Sequence, residues 1–291
     1  MTVSCPPASP APHAHLTGVL LVVTSAVVFS TAGLFTKGVE AGAWSVVFWR
    51  GLSAAAFSLA WAMLTGRLRD EMRAFGWPAL LAAIVGASGT AAFIPAFKLT
   101  SIANVALIWA TAPFFAAALA WLFTGERPTL RIVLCSALAL CGVALTLRGS
   151  FGTGNLAGDA LALWMVLMMA GFFVIYRIRP DTPVVLPNVL ASVILLVPGW
   201  RFGAPMCTAT PEIGILLGFG LIFTVASLTM TAGARLIPAA QTALLGALET
   251  PLAPLWAFLL LRELPTPWAL SGGILVMVAV LASQAVRKSK E

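Results

Sequence analysis

The chain has 291 residues, 60% of them hydrophobic and 9% charged, with a mean hydropathy of +0.99 and a formal net charge of +7. A soluble domain is typically about 25% charged, so this sequence lacks the polar surface to cover a water-soluble globule and reads as an integral membrane protein in a lipid bilayer. The 17 Lys and Arg are spread over short breaks rather than gathered in a patch, which excludes nucleic acid as a partner.

A hydrocarbon core about 30 Å thick takes roughly 17–25 apolar residues per helix. Ten stretches of suitable length follow one another. After a Pro-rich tail over 1–15, helices are expected at 16–36, 43–65, 77–97, 102–124 and 130–147. The Gly-rich break 149–156 (GSFGTGNL) follows, then helices at 157–176, 183–200, 211–234, 238–261 and 266–286, and a basic tail at 287–291. The first tail has no Lys or Arg and so lacks the charged start of a cleaved secretory signal. The fifth stretch is short and bracketed by Arg131 and Arg148, which can snorkel to the interface. The seventh holds Pro187 and ends at Pro198.

Within these helices a few residues stand out, taken in chain order. Helix one carries Thr17, Thr24 and Thr31 at seven-residue spacing with Ser30 beside them, a pattern of close helix packing. Arg50 lies about two turns into helix two, where it can meet a substrate carboxylate or snorkel outward. Pro95 in helix three frees the carbonyl of Ala91, and Pro113 in helix four frees that of Trp109. Lys98 belongs to the interface. Trp109, and in helix six Trp164, Met168 and Phe172 at spacing four, offer an apolar, polarizable surface for a hydrophobic or aromatic side chain; the competing use of such a stripe is helix packing or lipid contact. Gly214 and Gly218 form a GxxxG in helix eight, a signal of close helix contact.

Helix nine holds the most informative run, ALETPLAPLWAFLLLRE at 247–263. Glu249 falls near the bilayer centre, where a carboxylate costs on the order of 2.5–3.5 kcal/mol and is expected to face the bundle interior or water. It can meet a substrate ammonium, carry a coupling proton, bias the cavity toward cations, or bond to backbone in a structural role. Thr242, Glu249 and Trp256, at heptad spacing, lie on nearly one face of the helix, which is the expected inward face. Pro251 and Pro254 cannot donate to the carbonyls of Ala247 and Thr250, so the helix is expected to bend or open there. These prolines, with Pro95 and Pro113, are the candidate hinges.

Orientation follows from the basic residues. With the N-terminus in the cytoplasm, the inner breaks and tails collect Arg67, Arg69, Arg73, Arg127, Arg131, Arg177, Arg179, Arg235, Arg287, Lys288 and Lys290, against Lys37, Lys98, Arg148, Arg201 and Arg262 outside. That bias favours both termini inside. Cys5, Cys135, Cys141 and Cys207 form no disulfide framework or metal site, and no cofactor is called for. Enzymatic motifs are also missing. There is no His-Glu-x-x-His, the two His lie in the N-terminal tail, Gly86-Ala87-Ser88-Gly89 lacks the spacing of a nucleophile elbow, and Gly152-Thr153-Gly154 has no strand before it. A carrier is therefore expected rather than an enzyme; a channel or membrane-embedded sensor uses similar kinked helices and is the alternative.

A shift of 137 positions lays Ala103-Asn104-Val105-Ala106-Leu107 on Ala240-Gln241-Thr242-Ala243-Leu244, and Glu126-Arg127-Pro128-Thr129 on Glu263-Leu264-Pro265-Thr266. The interval holds five helices, an odd number, so the second copy sits upside down relative to the first. Inverted repeats lined by interrupted helices point to a secondary transporter. Asn104 and Gln241, matched by the repeat near opposite ends of the cavity, are candidate gate residues, while Glu126 and Glu263 mark helix ends.

At these residues the chain resembles a known family. TAPFFAAALAWLFTGERPT in helix four, repeated as ETPLAPLWAFLLLRELPT in helix nine, resembles the EamA-type transporters of the drug/metabolite transporter superfamily, with a likeness to the YddG-like aromatic amino acid exporters. The resemblance implies an all-α membrane protein of ten helices in two inverted five-helix repeats, at 16–148 and 157–286, with both termini cytoplasmic. Helices one, three, four, six, eight and nine would surround a central cavity, with five and ten at the periphery. It further implies export of small amphipathic metabolites, most often neutral or aromatic amino acids, across the bacterial inner membrane, the substrate meeting Trp109, Trp164, Met168, Phe172 and Glu249; a carrier for another metabolite or a drug-like cation is the alternative within the family.

Overall fold

The computed structural model of the protein describes residues 12–31, 35, 39–100, 102–125, 127–146, 155–261 and 267–284. Glu126, Glu263, most of the Gly-rich break and both chain ends lie outside them. The described residues form α1 (Pro12–Ser30), α2 (Ala43–Leu64), α3 (Leu68–Ala74), α4 (Trp77–Leu99), α5 (Ile102–Trp109), α6 (Ala112–Thr124) and α7 (Leu130–Thr146). They continue with α8 (Leu156–Ile178), α9 (Val185–Phe202), a 3-10 turn (Pro205–Cys207), α10 (Thr210–Ala234), α11 (Ala239–Gly246), α12 (Glu249–Leu261) and α13 (Pro267–Gln284). No strand occurs among them.

Local chemistry sets several of the boundaries. α4, α6 and α10 carry a proline in the first turn, where a missing N–H would have had no intrahelical partner. The Asn155 side chain accepts from the Ala157 N–H and caps α8. Gly125 ends α6 in the left-handed region with φ of 72°, a conformation that costs glycine little.

Each of the ten expected segments falls on helix, but they are not ten uninterrupted spans. Among the described residues six helices are long and apolar enough to cross a membrane, or seven if α3 and α4, bent by 99°, count as one. The fifth segment yields a helix of 17 residues, and the ninth is divided into pieces of 8 and 13 residues. Length thus fails as a criterion where the chain breaks its own helix.

Packing relies on small side chains, as expected in lipid, where close backbone approach replaces a hydrophobic driving force between helices. A Cβ on Gly142 would meet the Gly272 carbonyl at 2.8 Å, and one on Gly233 would meet the Gly18 carbonyl at 2.9 Å. The pairings repeat when one half of the chain is exchanged for the other. α1 packs on α10 as α8 packs on α4; α10 packs on α2 as α4 packs on α9; α1 meets α11 and α12 as α8 meets α5 and α6. Equivalent helices also pair with each other and run antiparallel. In α2 and α9, Gly51 faces Ser192 and Gly199 faces Phe48. In α7 and α13, Gly142 faces Gly272 while Arg131 Nε donates to the Ala282 carbonyl at 2.8 Å.

Candidate functional site: two interrupted helices and the groups around them

The fourth and ninth segments are each interrupted, and at matching positions. Moved by 137 residues, α5 and α6 coincide end for end with α11 and α12. At the first break the Thr111 N–H donates to the Ile108 carbonyl at 3.0 Å and the Phe114 N–H to the Thr111 carbonyl at 3.0 Å. At the second, the Ala247 and Leu248 N–H groups donate to the Leu244 and Leu245 carbonyls at 3.2 and 3.1 Å, and Thr250 to Ala247 at 3.2 Å. Both are i-to-i+3 turns, tighter than an α-helix, a form that often marks a hinge.

The prolines therefore act differently from mid-helix kinks. Pro113 lies in the first turn of α6 and Pro251 is the third residue of α12, so each stands where a half-helix restarts. Pro254 lies further along α12. Pro95 leaves α4 intact through Leu99. Glu249 opens α12 and is partly buried, which sets its carboxylate at the positive end of the half-helix dipole.

The unbroken face drawn through Thr242, Glu249 and Trp256 needs correction, because the chain is not α-helical between Gly246 and Glu249. Thr242 is fully buried in α11, its hydroxyl donating to the Pro238 carbonyl at 3.2 Å. Trp256 in α12 donates from Nε1 to the Ser30 hydroxyl at 2.8 Å, which joins α12 to α1.

The aromatic stripe of helix six lies along the seam between α8 and α4. Trp164 Nε1 donates to the Ser88 hydroxyl at 2.9 Å, and the ring is 48% exposed. A Cβ on Gly89 would touch Met168 at 3.1 Å, and one on Gly86 would touch the Phe172 ring at 3.4 Å. Phe172 is buried, its ring centroid 4.9 Å from that of Tyr176. Trp109 closes α5 and packs, partly buried, against the same apolar cluster that contains Phe172, Leu248 and Ala110.

Asn104 and Gln241 sit in polar clusters at opposite ends of the bundle. Thr100 donates to Asp159 Oδ1 at 2.7 Å, and Asn104 Nδ2 donates to the Thr100 hydroxyl at 3.2 Å and to Asp159 Oδ1 at 3.4 Å, joining α5 to α8 and α4. At the other end His15 Nε2 and Gln241 Oε1 are 3.2 Å apart, and Gln241 Nε2 donates to Gln284 Oε1 at 2.7 Å, joining α11 to α1 and α13.

Other expectations are relocated. The Thr17, Thr24 and Thr31 hydroxyls donate to carbonyls of their own helix, whereas Ser25, not singled out from sequence, bridges α1 to α10 through the Ala226 carbonyl at 2.7 Å. A Cβ on Gly214 would meet nothing within 4 Å, and one on Gly218 would meet only the Phe35 ring, at 3.7 Å. α10 approaches α2 closely instead at Gly220, where a Cβ would strike Ser53. Arg50 does not reach outward: it is 5% exposed, with its guanidinium carbon 4.4 Å from the Phe223 ring centroid.

Two further features had no sequence signal. Glu71 on α3 accepts from the N–H groups of Val184, Val185 and Leu186 at 3.1, 2.9 and 3.0 Å, capping α9 from across the chain. A cavity of about 420 Å³ opens where α2, α9 and α10 begin or end, lined in part by Glu40, Trp44, Ser45, Phe202, Cys207 and Glu212. There the Glu40 N–H donates to Glu212 Oε1 at 3.0 Å.

These helices define a multi-pass membrane protein. Residues 16–148 match the model of the EamA-like transporter family. A solved structure described as "Crystal structure of protein" superposes with a TM-score of 0.83 at 16% identity, covering 93% of this chain and 98% of that one. That likeness concerns the fold. No curated protein matches the chain.

Proposed function

We propose that the protein is a secondary carrier that exports small amphipathic metabolites, most often neutral or aromatic amino acids, across the bacterial inner membrane by alternating access. The observation that carries this reading is the matched interruption of α5/α6 and α11/α12. Broken helices placed at corresponding points of two antiparallel halves are the hallmark of carriers that rock around a fixed site. Ten membrane crossings, cytoplasmic termini and a YddG-like preference for aromatic side chains belong to the same reading. Support comes from the family match over 16–148 and from the excess of Arg on the breaks assigned to the inside.

In this reading the two 3-10 breaks, with Pro113 and Pro251 beside them, are the hinges, and Pro95 and Pro254 let their helices flex. Glu249 meets the polar part of the cargo or a coupling ion. Trp109, Trp164, Met168 and Phe172 receive its apolar part. No covalent chemistry and no cofactor are needed. Counterflow into liposomes preloaded with single amino acids tests the proposal. Saturable, stereoselective exchange of L-phenylalanine or L-leucine is expected; flux that neither saturates nor distinguishes L from D would identify a channel instead.

A further inference from the structure

Arg50 lies seven residues past Ala43, the start of α2, which at 1.5 Å per residue is about 10 Å along the helix. A side chain at that depth is long enough to place its charge at the interface. It turns inward instead and retains only 5% of its exposure.

What it meets there is aromatic. The guanidinium carbon is 4.4 Å from the Phe223 centroid and 5.7 Å from that of Phe219, both on α10. Phe223 meets Phe29 edge-on at 5.6 Å, and Phe219 stacks on Phe35 at 5.9 Å. Two rings of α10 thus face the cation, each backed by a further ring. The placement is fixed by backbone, since a Cβ on Gly220 would strike Ser53 and come within 2.9 Å of the Arg50 carbonyl.

Nearby hydroxyls are already committed. Ser53 donates to the Trp49 and Arg50 carbonyls at 2.8 and 3.1 Å, and Thr224 to the Ala54 and Gly220 carbonyls at 3.2 and 2.9 Å. Arg50 Nε is enclosed and has no acceptor, and among the described residues no carboxylate pairs with the guanidinium. Ring faces attract a cation through their quadrupole, but they leave its N–H donors unbonded. A buried guanidinium is stable when its planar fork meets a carboxylate bidentately. Keeping such a cation without one inside a membrane helix costs stability, and that cost is repaid when an anion arrives from outside the chain.

We propose that Arg50 is the receptor for the carboxylate of the cargo, with Phe219 and Phe223 against its apolar portion; the word cargo rests on the carrier reading given above. The ligand class is a small monocarboxylate bearing an apolar or aromatic group. Binding by the cation and the rings requires only the folded protein, so it is measurable apart from transport.

The test uses the full chain purified in detergent, with thermal unfolding followed against L-phenylalanine, phenylacetate, phenethylamine and sodium chloride. Phenethylamine keeps the ring and lacks the carboxylate. Wild type is expected to be stabilised saturably by L-phenylalanine and phenylacetate, with phenethylamine needing at least a tenfold higher concentration. Arg50→Met should remove that preference, and Arg50→Lys should keep part of it. If Arg50→Met does not fold, Phe223→Leu carries the comparison, with a weaker response to phenylacetate and an unchanged response to acetate. Three results overturn the proposal: a carboxylate preference that survives Arg50→Met, no response to any carboxylate, or a response saturated by chloride alone. Counterflow of the same compounds separates the two readings. Arg50-dependent binding without flux keeps the anion receptor and rejects the carrier, whereas flux indifferent to Arg50→Met keeps the carrier and rejects the receptor.

Discussion

Individual residues in this protein are placed by contacts far apart in sequence, and their substitution should report those contacts. Gly220 lets α10 approach α2 so closely that a methyl group would collide with Ser53. Overpacking of this kind costs about 1–3 kcal/mol, so Gly220→Ala should lower the unfolding temperature, while Gly214→Ala, with open space around it, should leave it unchanged. Differential scanning fluorimetry distinguishes the two. Glu249 opens the half-helix α12, at the positive end of its dipole. Glu249→Gln keeps the shape and removes the charge; counterflow by this variant should fall well below that of Glu212→Gln, whose carboxylate lies in the 420 Å³ end cavity. Equal rates would remove Glu249 from the transport path. Glu249 was conspicuous in the sequence as a carboxylate in an apolar run, and it stands beside the second interruption, at the start of α12. The inward turn of Arg50 was not legible, since depth alone permits both snorkelling and burial, and the deciding rings, Phe219 and Phe223, stand on a helix about 170 residues further along the chain.

Secondary elements were legible where composition marks them. Each apolar stretch became helix, and the prolines announced that helices four and nine would not run straight. What a single sequence could not convey was where the interruption falls. Pro113 and Pro251 were expected to bend or open their helices; the chain opens two to four residues before each, at Ala110–Thr111 and Ala247–Leu248, and each proline then lies in the first turn of a new helix. A proline tolerates a first turn better than an interior one, and that preference decides the geometry. Capping across the chain was equally silent in the sequence. Glu71 accepts three N–H groups at the start of α9, and hydrogen bonds to a charged acceptor are worth about 1.5–3 kcal/mol each at most. Glu71→Ala should therefore destabilise the protein by about 1–3 kcal/mol, while Asp70→Ala on the same short helix should change little; chemical unfolding of the two variants checks this. Similar stability for both would mean that water satisfies the α9 amides equally well.

At the scale of the whole molecule the recurring theme is exchange symmetry. The helix pairings are retained when the halves are swapped, and equivalent helices such as α2 and α9, or α7 and α13, lie antiparallel. The polar clusters follow the same rule: Asn104 bonds to Asp159 on α8, and its counterpart Gln241 meets His15 on α1, at opposite ends of the bundle. Short identities at a spacing of 137 residues were enough to suggest this arrangement, since an odd number of helices between copies reverses the second. The pairing itself depends on glycine and alanine contacts that have no periodic signature; the hydrophobic stripes of these helices face lipid and neighbours alike.

The central claim is that the two halves are inverted in the bilayer. Position 69, between α2 and α4, and native Cys207, between α9 and α10, are close counterparts in the two halves and must then lie on opposite sides. Single-cysteine forms, one retaining Cys207 and one carrying Arg69→Cys with the native cysteines replaced, can be exposed to a membrane-impermeant maleimide in intact cells. Inversion predicts that Cys207 is modified at once and position 69 only after the membrane is opened. Modification of both from the same side would contradict it.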